Sequence, residues 1–332
     1  MYDWNNLSKR FAGVVADMRT TEQDKKWHAE GNVAIHTAMV MDELLKNKDF
    51  ALLSEEDKML ISLAAFFHDL GKPKTTKTEE ETGDIISPNH SRISEKDFRL
   101  MCMKGELPEL NFMQREQVSM LIRYHGFPVH FWKKRDMERE VVKKAEEVRT
   151  DLLYILAIVD GRGRIVTGGS TIEENEMGID VFQEECINQD VYGNKREFET
   201  DKEKTYFFHT GKKYTPFEQE AATMYLICGI AGAGKDTYIQ KELPELPVIS
   251  LDNMRRERKV SHGDKKETGR IRQDATKLAK IYMARKEDFV WNATNISKDL
   301  RKKLLDLAYS YKANVEIIYH NLSRKPRSLR RG

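Results

Sequence analysis

The chain has 332 residues, a third of them charged, with 56 Lys+Arg against 54 Asp+Glu for a formal net charge of +2. Such a length accommodates two domains with separate cores, no apolar run approaches the length that spans a bilayer, and the balanced charge excludes nucleic-acid binding through bulk positive charge alone. The N-terminal MYDWNNLSKR has no hydrophobic h-region, and Cys102, Cys186 and Cys228 form neither a disulfide framework nor a zinc pattern, so a reduced, cytoplasmic protein is expected.

Before the first strong helix, Trp27-His28-Ala29-Glu30-Gly31 reads as a polar turn, with His28 and Glu30 as alternative candidates for proton transfer or substrate orientation. From Val33 to about Leu45 the spacing predicts a helix with Val33, His36 and Val40 on one face, which turns His36 inward. A second helix, Asp57–Leu70, buries Leu60, Ile61, Leu63, Ala64, Phe66 and Phe67 and ends in His68-Asp69. Gly71 is expected to stop it and Pro73 to prevent its resumption. A buried imidazole or carboxylate must find a partner or lose its charge, and a divalent cation satisfies both at once. Lys72 and Arg92 lie nearby in sequence, and one reading of Lys72 is an exposed turn lysine.

A polar, hairpin-like segment follows at Lys77–Asp84, then PNHSRIS, which places His90 ahead of a charged helix starting near Ser94. The helix Met113–His125 carries Val118, Leu121 and Ile122 on its apolar face and His125 in its final turn. Asp151–Asp160, DLLYILAIVD, is an almost wholly apolar helix closed by Asp160 and followed by Gly161-Arg162-Gly163. His36, His68, Asp69, His90, His125 and Asp160 are therefore the candidate metal ligands. Neutral imidazoles with carboxylates suit Mn, Fe, Co, Ni or Zn better than Mg.

The order His36, His68-Asp69, Asp160 resembles the HD phosphohydrolase superfamily, with the doublet HDLGK and the late aspartate as its most specific marks. His90 and His125 match the extra histidines of members that hold a second metal. The resemblance implies an all-α domain with one or two divalent metals, in which Asp69 serves catalysis and a phosphoester is hydrolysed. The metal would lower the pKa of bound water and neutralise phosphoryl oxygens, with Lys72 as a candidate contact to the substrate phosphate.

From Thr167 to about Glu220 periodicity fades. Gly168-Gly169-Ser170 and the acidic Glu173–Glu176 suggest a boundary, while Tyr192, Phe198, Tyr206, Phe207 and Phe208 argue against disorder. The expected organisation is a first domain over 1–167, a connecting module over 168–221 packed against one or both domains, and a second domain over 222–332.

The second domain opens with Met224–Cys228, a short apolar run read as a buried parallel strand. It runs into GIAGAGKDT, Gly229–Thr237, and then a helix, the context in which a phosphate loop works. Gly229, Gly232, Ala233 and Gly234 let backbone N–H groups face phosphates, the helix start adds its dipole, and Lys235 reaches the terminal phosphates. The slot after the lysine, ordinarily Ser or Thr, is Asp236, with Thr237 next; either can hold Mg²⁺. Pro247–Leu251 is a second expected strand, with Asp252 at its carboxyl end as either general base or helix N-cap. Phe289–Asn295 and Asn314–Tyr319 are a third and a fourth.

The phosphate loop, the Asp252-x-x-Arg255 spacing and FVWNATN resemble polynucleotide 5′-hydroxyl kinases of end-repair systems. By that resemblance Asp252 is the general base and Arg255 contacts the phosphate flanking the acceptor end. An HD module ahead of such a kinase is similar to the bacterial HD-polynucleotide kinase family. The resemblance implies 2′,3′-phosphatase and NTP-dependent 5′-kinase activities on RNA or DNA ends, feeding an RNA ligase, with no membrane partner. Kinases of that family continue into a lid; here NLSRKPRSLRRG follows His320, so a short or missing lid is expected, with Arg324 or Arg327 as stand-ins. Competing readings are a small-nucleotide hydrolase with a nucleotide-sensing phosphate loop, and an RNA-binding protein with vestigial sites.

Overall fold

A computed structural model describes residues 2–107, 110–168, 171–212, 221–261 and 264–320. The chain divides into two compact units, Met1–Pro216 and Phe217–Gly332. The tail with Arg324 and Arg327 and the expected boundary residues Gly169-Ser170 lie outside the described residues.

The first unit is helical. In order it comprises α1 (Trp4–Arg10), α2 (Ala12–Arg19), α3 (Val33–Lys46), α4 (Lys48–Leu52), α5 (Glu55–Phe67), α6 (Lys72–Thr75), a two-residue antiparallel hairpin β1 (Lys77–Thr78) and β2 (Ile85–Ile86), and α7 (His90–Lys104). Then follow α8 (Phe112–Tyr124), a 3₁₀ turn (Pro128–Lys133), α9 (Met137–Ala145), α10 (Thr150–Arg162), α11 (Ile172–Asn188) and α12 (Asp201–Thr210). Caps fix the starts of the helices that matter most. Asn32 accepts from Ile35 N at α3, Ser54 from Asp57 N at α5, and Asn111 with Gln114 forms a capping box at α8. In α5 every residue from Leu60 to Phe67 is buried, and in α10 Leu152, Leu153 and Ile155–Gly161 are. Helices apolar all round must lie inside, and α3, α5, α8 and α10 accordingly pack on one another.

Several boundaries differ from the sequence expectation, each for a local reason. The helix carrying His90 begins at His90 and not near Ser94, because Asn89 takes a left-handed φ of 58° and turns the chain directly into it. Ser94 is no cap; it is buried, and its Oγ accepts from Gly71 N at 2.8 Å. Pro73 does not block helix formation but sits in the first turn of α6, where its missing N–H costs nothing. Asp160 does not close its helix, which runs on through Gly161 to Arg162. The interval expected as a connecting module contributes α11 and α12 to the first unit, where Phe182, Cys186, Val191 and Phe207 join its core.

The second unit comprises β3 (Thr223–Cys228), α13 (Lys235–Glu242), β4 (Val248–Ser250), α14 (Leu251–Glu257), α15 (Lys265–Arg285), β5 (Phe289–Asn292), α16 (Lys298–Ser310) and β6 (Asn314–Tyr319). The strands form one parallel sheet in the order β4-β5-β3-β6. Alternation along β3 sends Met224, Leu226 and Cys228 into one core with Phe289 and Trp291, and Ile227 into another with Val290 and Ile239. Strand β4 is shorter than expected because Ser250 caps α14, accepting from Asn253 N. Asp252 therefore lies in the first turn of α14 and is not its N-cap.

Candidate metal centre and phosphate loop

Five helices deliver six ionisable side chains to one place in the first unit. His36 comes from the first turn of α3, His68 caps α5 with Asp69 following, His90 opens α7, His125 caps α8 and Asp160 lies in the last turn of α10. His36 Nε2 stands 3.3 Å from His68 Nε2, and His90 Nε2 stands 3.3 Å from His125 Nε2. Asp69 lies between the two pairs. Its Oδ2 is 3.2 Å from His68 Nε2 and 3.8 Å from His36 Nε2, while its Oδ1 is 3.5 Å from His90 Nε2. Asp160 Oδ1 adds a second carboxylate, 3.1 Å from His36 Nε2 and 3.9 Å from His68 Nε2.

The tautomers follow from the outer contacts. Nδ1 of His36 faces the carbonyl of Gly163 at 3.0 Å, and those of His68, His90 and His125 face the carbonyls of Ala65, Ser87 and Ile122, each at 2.8 Å. A carbonyl only accepts, so each Nδ1 carries the proton and each Nε2 turns a lone pair inward. The two facing pairs of neutral Nε2 atoms have no proton to share, and the carboxylate between them has the Lys72 ammonium on one side only, 2.7 Å from Oδ2. Neither oxygen of the buried Asp69 accepts a hydrogen bond of acceptable geometry. This donor set fits divalent metal, in one trio of His36, His68 and Asp69, joined by Asp160, and a second of Asp69, His90 and His125.

The electrostatics are those of a site built for positive charge. Burial pushes the Asp69 and Asp160 carboxyls up. For Asp69 the charges of His68 and Lys72 outweigh it, and for Asp160 those of Arg164 and its histidines do, so both lie well below the usual carboxylate range. Burial lowers His125 to about 3 and holds His90 down as well. For His68 burial is outweighed by Asp69 and Asp160, and the net shift is upward.

Lys72, readable from sequence as an exposed turn lysine, is buried, with Nζ 2.7 Å from Asp69 Oδ2 and 2.6 Å from Gln23 Oε1. Arg92 is exposed. Two members of the site, Arg164 and Gln23, escaped the sequence reading. Arg164 reaches Asp160 Oδ1 from Nη2 at 2.6 Å and its backbone carbonyl from Nε at 3.1 Å. Gln23 holds Lys72. Glu30, read either as a candidate for proton transfer or substrate orientation or as part of an ordinary polar turn, has a buried side chain that takes His28 Nδ1 at 2.8 Å, His36 Nδ1 at 3.2 Å and Ile165 N at 2.9 Å. The spacing of WHAEG ahead of the first ligand helix is the one signal that pointed there.

In the second unit the phosphate loop joins β3 to α13. Gly232 and Gly234 have φ of 74° and 86°, the left-handed region that glycine enters at no steric cost. Gly229 is required for space, since a Cβ there would lie 2.8 Å from His320 O. Lys235 Nζ donates to the carbonyls of Gly229 and Ile230 at 3.1 and 2.9 Å, arching back over the loop. Asp236 Oδ1 accepts from Asn292 Nδ2 at 2.7 Å. Asp252 Oδ1 pairs with Arg255 Nη1 at 2.7 Å beyond the carboxyl end of β4, where ligands of open parallel sheets gather. Ala233 and Thr237 complete the turn and the first helical residues.

Comparison with protein families agrees with this division. Residues 32–161 match the HD domain family, and residues 224–330 match the AAA domain family. Curated proteins gave no match. The chain thus joins an N-terminal helical HD domain, with a possible metal site, to a C-terminal P-loop kinase-like domain with a parallel four-stranded sheet, the make-up of a two-domain phosphohydrolase and kinase enzyme. No helix among the described residues is long and apolar enough to cross a membrane.

Proposed function

We propose that the chain is an RNA end-healing enzyme of the HD-polynucleotide kinase type. Its first unit removes 2′,3′-cyclic, 2′- or 3′-phosphates, and its second phosphorylates 5′-hydroxyl ends from ATP or another NTP with Mg²⁺. One observation carries the hydrolase half: Asp69, buried beside Lys72, stands between two pairs of inward-facing imidazoles. Divalent transition metal held by His36, His68, Asp69, Asp160, His90 and His125 supplies water activation and charge neutralisation at a phosphoryl group. The chain's own residues do the rest. Four backbone carbonyls fix the imidazole tautomers, Lys72 and Arg164 hold the two carboxylates ionised, and both place positive charge where phosphate oxygens would bind.

For the kinase half, the phosphate loop with Lys235 binds the donor. Asp252 takes the proton of the attacking 5′-hydroxyl, and Arg255 grips the adjoining phosphate. Repairing both kinds of end prepares them for an RNA ligase, which gives the fusion a chemical logic. Acting in the cytoplasm, the protein keeps Cys102, Cys186 and Cys228 as thiols. The test offers the whole chain, with Mn²⁺ or Ni²⁺, an oligoribonucleotide ending in 2′,3′-cyclic phosphate beside free nucleoside cyclic phosphates and nucleotides. In parallel, a 5′-hydroxyl oligonucleotide is offered with Mg²⁺ and radiolabelled ATP. Phosphate release from the oligonucleotide end and 5′ labelling are expected. Turnover of free nucleotides alone would favour the nucleotide-hydrolase alternative.

A further inference from the structure

In P-loop enzymes at large, the magnesium ion of the bound nucleotide is held by a hydroxyl on the residue after the loop lysine and by a carboxylate from a strand end. In this chain the two positions have exchanged chemistry. The residue after Lys235 is Asp236, and the strand end facing it bears an amide, Asn292, level with Ile227 of β3 in the sheet register. Asn292 is 6% exposed, and its Nδ2 donates to Asp236 Oδ1 at 2.7 Å. The bond fixes the carboxylate and leaves Oδ2 for a cation. An aspartate at position 292 would set two like charges at that distance; the neutral amide donor avoids this. Asp252, the carboxylate just beyond β4, is already paired with Arg255. Thr237, the competing ligand, has no partner among the described hydrogen bonds that would orient its hydroxyl.

We infer that Asp236, positioned by Asn292, is the protein's ligand to the nucleotide-bound Mg²⁺, so that the pair supplies one carboxylate as ordinary P-loops do, but from the opposite side. The inference rests on the P-loop unit binding Mg-nucleotide, as proposed above. Its consequence is a strong metal requirement for binding itself. Without Mg²⁺ the Asp236 carboxylate repels the triphosphate; with Mg²⁺ it attracts it.

The test is equilibrium dialysis of ATP against the whole chain, in Mg²⁺ and in EDTA, read as the ratio of the two affinities. In Asp236→Ser that ratio should fall by about tenfold or more, equivalent to about 1.4 kcal/mol, largely because binding in EDTA strengthens. In Thr237→Val it should stay as in the unaltered chain. The double variant Asp236→Ser with Asn292→Asp, which rebuilds the ordinary pair, should recover the ratio. A ratio unchanged in Asp236→Ser and reduced in Thr237→Val would overturn the assignment while leaving the P-loop reading intact. Failure of the unaltered chain to bind ATP under either condition would overturn both.

Discussion

His36 Nδ1 stands 3.0 Å from the carbonyl oxygen of Gly163, so the turn that ends α10 sets the tautomer of an imidazole on α3. The same glycine sits directly against α3. A Cβ at Gly163 would lie 2.7 Å from Val40 N and 2.8 Å from Val40 Cα, backbone atoms that cannot swing aside. Gly71 has the matching role for the second trio, because a Cβ there would lie 2.5 Å from His90 O. Two glycines without side chains thus decide how near the ligand-bearing helices approach.

Gly163→Ala should therefore separate His36 from Asp160. The expected cost is about 1–3 kcal/mol of stability, as for other overpacked sites, together with loss of metal and of metal-dependent phosphate release. Metal content by elemental analysis, alongside a thermal midpoint, checks it. A folded variant with full metal occupancy would show that the close approach does not govern the centre.

Glu30→Gln tests the layer behind the ligands. Burial raises the Glu30 carboxyl, but hydrogen bonds from His28, His36 and Ile165 outweigh it and hold the group below the usual carboxylate range. The ionised group behind His36 Nδ1 raises the basicity of Nε2, and outer partners of this kind are worth about 10–100-fold in metal affinity or activity. Glu30→Gln keeps the shape and removes the charge, so metal affinity should fall by a similar factor, read by chelator competition. Unchanged affinity would reduce Glu30 to a packing residue.

The six side chains that converge in the first unit were legible in the sequence because imidazoles and carboxylates at or near helix ends stand out against their neighbours. Arg164 and Gln23 were not, and Glu30 stood only as an open alternative, because each lies in a polar stretch where a charged or amide side chain normally faces water, and only the fold turns them inward. Ser94 misled for a related reason. A serine before Glu95 looks like a helix start, yet its hydroxyl serves Gly71 N across a tertiary contact. In α11 the acidic run Glu173–Glu176 hid a usable signal. Ile179, Phe182 and Cys186 recur at helical spacing behind a Thr171–Glu174 capping box. The strands of the second unit were read within a few residues, since β3 and β5 are short apolar runs and turn chemistry bounds them.

The buried histidines make the metal-free first unit sensitive to acid. Burial lowers His28 to about 4 despite its bond to Glu30, and lowers His125 to about 3. Below the ordinary value near 6.5, the unfolded chain takes up protons that these folded imidazoles refuse. Stability should therefore be lost as pH falls from about 6.5 towards 4 and 3, at up to about 1.4 kcal/mol per pH unit for each such group. His68 acts in the opposite sense. Its raised value contributes stability that is complete below about 6.5 and is lost as pH rises through the folded value. Thermal midpoints of EDTA-treated protein between pH 4 and 6.5 should fall more steeply for the unaltered chain than for His125→Phe. Parallel slopes would contradict this account.

The two activities should separate by mutation, because each unit has its own core. Asp69→Ala removes the carboxylate common to both metal trios, so phosphate release should be abolished and ATP binding retained. Lys235→Ala removes the donor to the carbonyls of Gly229 and Ile230 and the reach to the nucleotide phosphates. It should abolish 5′ labelling and leave phosphate release unchanged. Loss of both activities in either variant would mean that the units do not function independently.

Asp252 and Arg255 should divide the acceptor chemistry between them. The Asp252 side chain is 63% exposed and that of Arg255 only 15%, with Arg255 Nε buried without a partner. A fixed guanidinium beside an open carboxylate suits a clamp beside a base. The clamp stays put while the base takes the proton of an arriving hydroxyl. Asp252→Asn keeps the shape and removes the proton acceptor, so kcat for 5′ phosphorylation should fall by about 10²-fold or more, with the acceptor KM little changed. Arg255→Lys keeps the charge but not the planar fork, so its main effect should be a raised acceptor KM. Steady-state kinetics against the 5′-hydroxyl oligonucleotide distinguish the two. If both variants lost kcat alone, Arg255 would be acting on Asp252 and not on the substrate phosphate.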